Sequence, residues 1–252
     1  MTDPRVAVIT GGNRGLGRSA ARSLAAAGYR IVVTHRPGGE ATDTARLIEA
    51  AGGDVMTMPL DISDVSAFSA FVSDLEQGLT ARWGASRLDV LVNNAGIGLF
   101  DPLTEVTPER FDLLVGTNFR GTFFLIQALV PLMGDGSRIV NISTSLTRHV
   151  SPGTSIYTAA KSAVEALTRT LAVELGPRGI RINTVAPGPT ATDFNGGAMR
   201  DNAELRGYLA TQTALGRVGR PEEIGDAIAA LVSDQMRWVT AERLEVSGGA
   251  LL

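Results

Sequence analysis

The stretch VAVITGGNRGLGRSAARSLAAAG, Val6 to Gly28, decides the fold. A short run rich in valine and isoleucine leads into glycines at positions 11, 12, 15 and 17, and these open an alanine-rich helix. Glycines between a strand and a helix N-terminus leave backbone amides free to face a phosphate group, where the helix dipole favours negative charge. The spacing Gly11-x-x-x-Gly15-x-Gly17 differs from the G-x-G-x-x-G fingerprint. Gly12 to Ser19 also reads G-x-x-x-x-G-R-S, one residue away from a P-loop. Arg18 stands where that motif needs Lys, and no acidic metal ligand ends a following strand. A dinucleotide is therefore the expected ligand of this turn, the alternative being a glycine turn that merely connects.

Outward from this unit the same alternation repeats. YRIVVT precedes ATDTARLIEAAGG, DVMTMPLD precedes VSAFSAFVSDLEQGL, and RLDVLVNNAG precedes a long helical pattern from Pro108 to Met133. SRIVNIS leads into a helix from about Ser155 to Gly176, and GIRINTVAPG into a longer, looser segment. A helix from Pro221 to about Val232 and a short run, RLEVSGG, follow. Apolar runs without alternation suit strands covered on both faces. Strands alternating with helices argue for right-handed βαβ units of a parallel sheet, with ligands bound along the strand C-termini. With no linker, low-complexity tract or short-period repeat, residues 1–252 read as one doubly wound α/β domain.

The bulk numbers exclude several classes. Of 252 residues, 44% are hydrophobic, enough for a sizeable core. A net charge of −3 gives no electrostatic case for nucleic acid or an anionic membrane as partner. The absence of cysteine excludes disulfides, thiol chemistry and cysteine zinc sites. The start, MTDPRVAVIT, has no signal-peptide pattern, and no uninterrupted apolar run approaches the ~20 residues of a membrane span, so a cytoplasmic protein is expected.

Three further motifs follow in order: NNAG from Asn93 to Gly96, Asn118 within LLVGTNFRGTFF, and YTAAK from Tyr157 to Lys161. Together with TGGNRGLG on one α/β chain, they resemble the short-chain dehydrogenase/reductase family, and the resemblance runs from VAVITGG to LEVSGG. It implies a Rossmann fold with a seven-stranded parallel sheet and helices on both faces. It also implies a bound NAD(P) and hydride transfer between nicotinamide and a carbonyl or secondary alcohol.

Carbonyl reduction needs a proton on oxygen, and a Tyr with an unperturbed pKa of roughly 10 matches neutral pH poorly. An adjacent ammonium lowers that value, and residues four apart share a helix face, so Lys161 can serve Tyr157. The plain alternative is a Tyr and a Lys on a solvated helix face. By resemblance, Lys161 also holds the nicotinamide ribose, and Asn118 holds a water that joins Lys161 to solvent. Otherwise Asn118 is a helix-interior residue bonded to nearby backbone. The resemblance implies a cofactor set of Gly11, Asn13, Arg14, Gly15, Leu16 and Gly17 in the turn, and Asp61 and Ile62 near adenine. It continues with Asn94, Ala95 and Gly96 at the end of the fourth strand, Ile142 and Ser143, and Pro187, Gly188, Thr190 and Thr192 bordering the nicotinamide. Asp61 can instead cap the next helix.

The family pairs its Tyr with a Ser thirteen residues upstream, and here that count lands on Thr144. Threonine offers the same donor and acceptor. A one-residue backbone shift would present Ser145 instead, while Thr147 and Ser151 fall in a surface loop. After the second strand stand Thr34, His35 and Arg36, without a carboxylate to repel a 2′-phosphate, and Arg14 adds a second cation. NADP(H) is thus expected over NAD(H). His35 otherwise reads as an exposed loop residue and His149 as loop or pocket lining, with no metal site expected.

Asn195 to Gly207 resembles a mobile substrate lid, or else is a plain surface loop. The expected function is an NADP(H)-dependent reductase of a 3-oxoacyl thioester or small ketone. Alternatives are an NAD(P)-dependent alcohol, sugar or polyol dehydrogenase, and a non-catalytic dinucleotide-binding protein, against which Tyr157, Lys161 and Asn118 argue. A homotetramer or homodimer is implied, with the Asn118 and Tyr157 helices at an interface. Val164, Leu167, Leu171 and Leu175 serve that interface or form ordinary core.

Overall fold

Seven parallel strands form one sheet, in the order β3-β2-β1-β4-β5-β6-β7. They are β1 (Val6–Ile9), β2 (Arg30–His35), β3 (Val55–Pro59), β4 (Leu88–Asn93), β5 (Met133–Ile142), β6 (Arg181–Pro187) and β7 (Arg243–Val246). The structure, a computed structural model, describes residues 5–251. The chain winds from β1 outward to β3, then crosses back to β4 and continues the other way. The C-terminal ends of β1 and β4 are therefore neighbours at the topological switch point, where such sheets bind ligands.

Side chains alternate across each strand, so one strand feeds two cores. Ala7 and Ile9 point into the layer of α1 (Gly15–Ala26), α2 (Thr42–Ala50) and α9 (Pro221–Val232). Val6 and Val8 point into the layer of α3 (Phe68–Trp83), α5 (Gly121–Leu129) and α6 (Ser155–Leu175). The expected doubly wound Rossmann arrangement is what the chain adopts. In the stripe Val164, Leu167, Leu171 and Leu175, Val164 is fully buried and the three leucines are half-buried against this second core.

The expected long helix from Pro108 is interrupted. It runs as α4 (Pro108–Val115), a π turn over Gly116–Arg120, then α5 and a 3-10 turn at Val130–Leu132. Over its 25 residues this run is long and apolar enough to cross a membrane by length and mean hydropathy, which the sequence reading did not anticipate. Its buried residues Leu114, Leu125, Ile126 and Leu129 account for the composition, since they form core. The looser segment after β6 folds as two short helices, α7 (Ala198–Asp201) and α8 (Ala203–Thr211).

Candidate active site

The glycine turn is packed against the end of β4. Gly11 and Gly15 take positive φ, +61° and +54°. A Cβ on Gly17 would lie 2.4 Å from both Asn94 Nδ2 and Gly11 O, so only glycine fits there. Arg14 opens α1 without a side-chain cap, and the first turn carries no acidic residue. The amides of that turn are thus free for an anion, which fits a dinucleotide pyrophosphate. Arg18 is engaged elsewhere: it donates to Asn13 O at 2.7 Å and to Thr44 Oγ1 at 3.1 Å. The P-loop alternative loses its cation.

Asn94 braces this turn rather than ending the strand, since β4 stops at Asn93. Its Nδ2 donates to Thr10 O at 2.8 Å and Gly11 O at 3.1 Å, while the Asn94 and Ala95 amides donate to Thr10 Oγ1. Leu16 packs on the first core, and Ile62 is 5% exposed, leaving mainly their backbone for a ligand. At the tip of β2, buried Thr34 accepts from the Gly11 amide, and Arg36 is exposed. Asp61 Oδ1 accepts from the Ser63 hydroxyl at 2.7 Å and the Ser63 amide at 2.9 Å. Those bonds outweigh the cost of burial and, with the nearby Arg36 charge, hold the carboxyl below its usual range. The helix cap, the alternative role for Asp61, falls to Asp64.

Asn118 lies in the π turn, 1% exposed. Its Oδ1 accepts from the Ile97 amide at 2.9 Å and its Nδ2 donates to Ile97 O at 2.8 Å. The side chain is therefore a clamp on the loop after β4, and the Asn118 carbonyl accepts from Thr122 Oγ1 at 3.2 Å. Gly96 lets the clamp close, because a Cβ there would stand 2.8 Å from Asn118 Oδ1 and 3.5 Å from Lys161 Nζ.

Tyr157 and Lys161 are 7% and 5% exposed on α6, not on a solvated face. Lys161 Nζ donates to Ile142 O at 2.7 Å, and burial pulls its pKa down to about 8. Tyr157 runs against expectation: burial pushes its phenol up to about 12, with the Thr144 hydroxyl pulling the other way. The low-dielectric pocket disfavours the charged form of both groups. Thr144, 8% exposed, has extended backbone (φ −159°), and Ser145 begins the 3-10 turn that follows. Phe100 meets the Tyr157 ring edge-on with centroids 5.5 Å apart, and Phe194 approaches it at 6.2 Å. Thr192 stands over the glycine turn, with its Oγ1 accepting from the Phe194 amide. Thr190 donates to Gly188 O, and Gly188 presses on Ser247 beyond Pro187 at the end of β6.

Sequence reasoning missed Phe100, Phe194 and a charged cluster. Glu165, Arg243 and Glu245 form a largely buried ion network that Thr147 and Ser143 join, so Thr147 is not the surface residue expected. Ser143 spends its hydroxyl on Glu165 Oε1 at 2.6 Å. The one available signal was a pair of charges, Arg243 and Glu245, inside the strand-like RLEV.

A Rossmann sheet with a free anion site at its switch point, and a buried Tyr–Lys pair at the same edge, defines a dinucleotide-dependent oxidoreductase. A family profile described as Enoyl-(Acyl carrier protein) reductase matches residues 11–250. The chain is 34% identical to the 3-oxoacyl-[acyl-carrier-protein] reductase FabG of Staphylococcus aureus, over 99% of each chain. It is also 34% identical to the L-rhamnose 1-dehydrogenase (NAD(P)(+)) of Azotobacter vinelandii, over 97% of this chain and 96% of that one. Among solved structures, the angucycline C-6 ketoreductase LanV with bound NADP superposes with a TM-score of 0.92 at 38% identity, covering 98% of this chain and 95% of LanV. The chain belongs to the short-chain dehydrogenase/reductase family and is an NAD(P)-dependent oxidoreductase of carbonyl and CH–OH groups.

Proposed function

We propose that this protein is an NADP(H)-dependent ketone reductase in which Tyr157 is the proton donor. The observation that carries this reading is the meeting of Tyr157, Thr144 and Lys161 in one buried site at the edge that also bears the glycine turn. NADPH, when bound, supplies the hydride. The turn amides hold its pyrophosphate, Arg14 and Arg36 its 2′-phosphate, and Lys161 its nicotinamide ribose. A phenol pushed up to about 12 holds its proton at neutral pH, and the Thr144 hydroxyl pulls it back toward the range in which it can give that proton up. The Thr144 hydroxyl donates to the substrate oxygen beside it. Phe100 and Phe194 flank the Tyr157 ring with aromatic side chains, which suit a ketone with an apolar body better than a polyol. The ketoreductase LanV supports the same preference.

Tyr157→Phe should abolish turnover across a ketone panel while NADPH affinity, read by fluorescence titration, changes less than about threefold. Activity retained in that variant sinks the assignment. Arg36→Asp should move the kcat/KM ratio toward NADH by on the order of tenfold or more, through loss of the cation and repulsion of the 2′-phosphate. An unchanged ratio refutes the phosphate role.

A further inference from the structure

Three charged side chains from α6 and β7 meet against the Ser143–Thr147 segment. Arg243 Nε lies 2.7 Å from Glu165 Oε1, and its Nη1 lies 2.5 Å from Glu245 Oε2. The Arg243 and Glu165 side chains are only 10% and 11% exposed. The same guanidinium reaches the segment itself: Nη2 donates to Thr144 O at 3.0 Å and to Thr147 Oγ1 at 2.9 Å. Glu165 Oε1 in turn accepts from Ser143 Oγ at 2.6 Å and Thr147 Oγ1 at 2.7 Å. The residue before Thr144, its own carbonyl and the turn after it are all tied to one ion pair.

A buried ion pair is a weak source of stability, because desolvation offsets the attraction. Its planar, multiply donating fork is instead well suited to fixing geometry. The geometry matters here, since advancing the backbone by one residue would bring Ser145 where Thr144 stands and Arg148 where Thr147 stands, and the Thr147 hydroxyl bonds to Glu165 and Arg243 would be lost. We propose that Glu165 and Arg243 are positioning residues that lock the register of this segment, so that Thr144 and not Ser145 presents its hydroxyl to Tyr157. The inference rests on the reading of Tyr157 as the proton donor.

The test combines single and double variants. In the parent, Thr144→Val should cut kcat by about 100-fold and Ser145→Ala by less than about twofold. Arg243→Met should cut kcat by about tenfold with the NADPH KM nearly unchanged, and Arg243→Lys should recover only part of that, lacking the fork. In the Arg243→Met background, Thr144→Val should cost less than about tenfold and Ser145→Ala should become costly, a non-additivity that a general loss of stability does not produce. The isosteric Glu165→Gln, and Glu165→Met combined with Arg243→Met, keep the test available should Arg243→Met alone fail to fold. Hydrogen exchange of the peptide spanning 143–149 gives a readout independent of turnover: it should rise in these variants while the glycine-turn peptide is unchanged. Unchanged exchange, or strictly additive costs, overturns the proposal. Faster exchange in variants of a protein that reduces no ketone leaves the lock standing and refutes the function instead.

Discussion

Lys161 carries a charge that its surroundings resist. The shift from 10.5 to about 8 corresponds to roughly 3 kcal/mol between its protonation states. Below pH 8 both folded and unfolded chains hold the proton, and the folded state bears the full cost of the buried ammonium. Between pH 8 and 10.5 the unfolded chain binds more protons, so this cost fades as pH rises. The stability of Lys161→Met relative to the parent should therefore fall by about 3 kcal/mol from pH 8 to 10.5, measured by urea unfolding. The lost bond to Ile142 O adds an offset, but one that does not vary with pH. A difference independent of pH would mean that the ammonium is solvated. Activity should be lost at every pH. The Tyr157–Lys161 spacing was legible from four-residue periodicity, whereas the direction of the Tyr157 shift was not. It depends on how completely Phe100, Phe194 and the neighbouring loops exclude water.

At the scale of elements, the break at Gly116–Arg120 places Asn118. A π turn inserts an extra residue into the helix and turns the following face, as π turns at functional sites commonly do. Two glycines near this break make a matched test. A Cβ on Gly121 would lie 2.0 Å from Ile62 O, a backbone atom that cannot step aside, so Gly121→Ala should destabilise by about 2 kcal/mol or more. Nothing stands within 4 Å of a Cβ on Gly116, so Gly116→Ala should be neutral or stabilise by up to about 1 kcal/mol. Equal effects in chemical denaturation would mean that the close approach of α5 to the loop after β3 is wrong. Strand and helix types were readable because each rests on nearby residues. The π turn was not, since the apolar pattern from Pro108 to Met133 runs through it unbroken.

Across the whole molecule, the stripe expected to serve either assembly or core is fully buried at Val164 and half-buried against the second core at Leu167, Leu171 and Leu175. The alternation of strands and helices, the anion-binding turn and the Tyr157–Lys161 face were all determined by the sequence alone, because steric and periodic constraints act between residues a few positions apart. Only the tertiary structure decided that burial shifts both groups against their charged forms, that Asn118 clamps Ile97, and that Glu165 meets Arg243 from 78 residues away against Thr144. Burial and ionic pairing are set by whatever distant segments the fold brings together, and no local pattern encodes that distance.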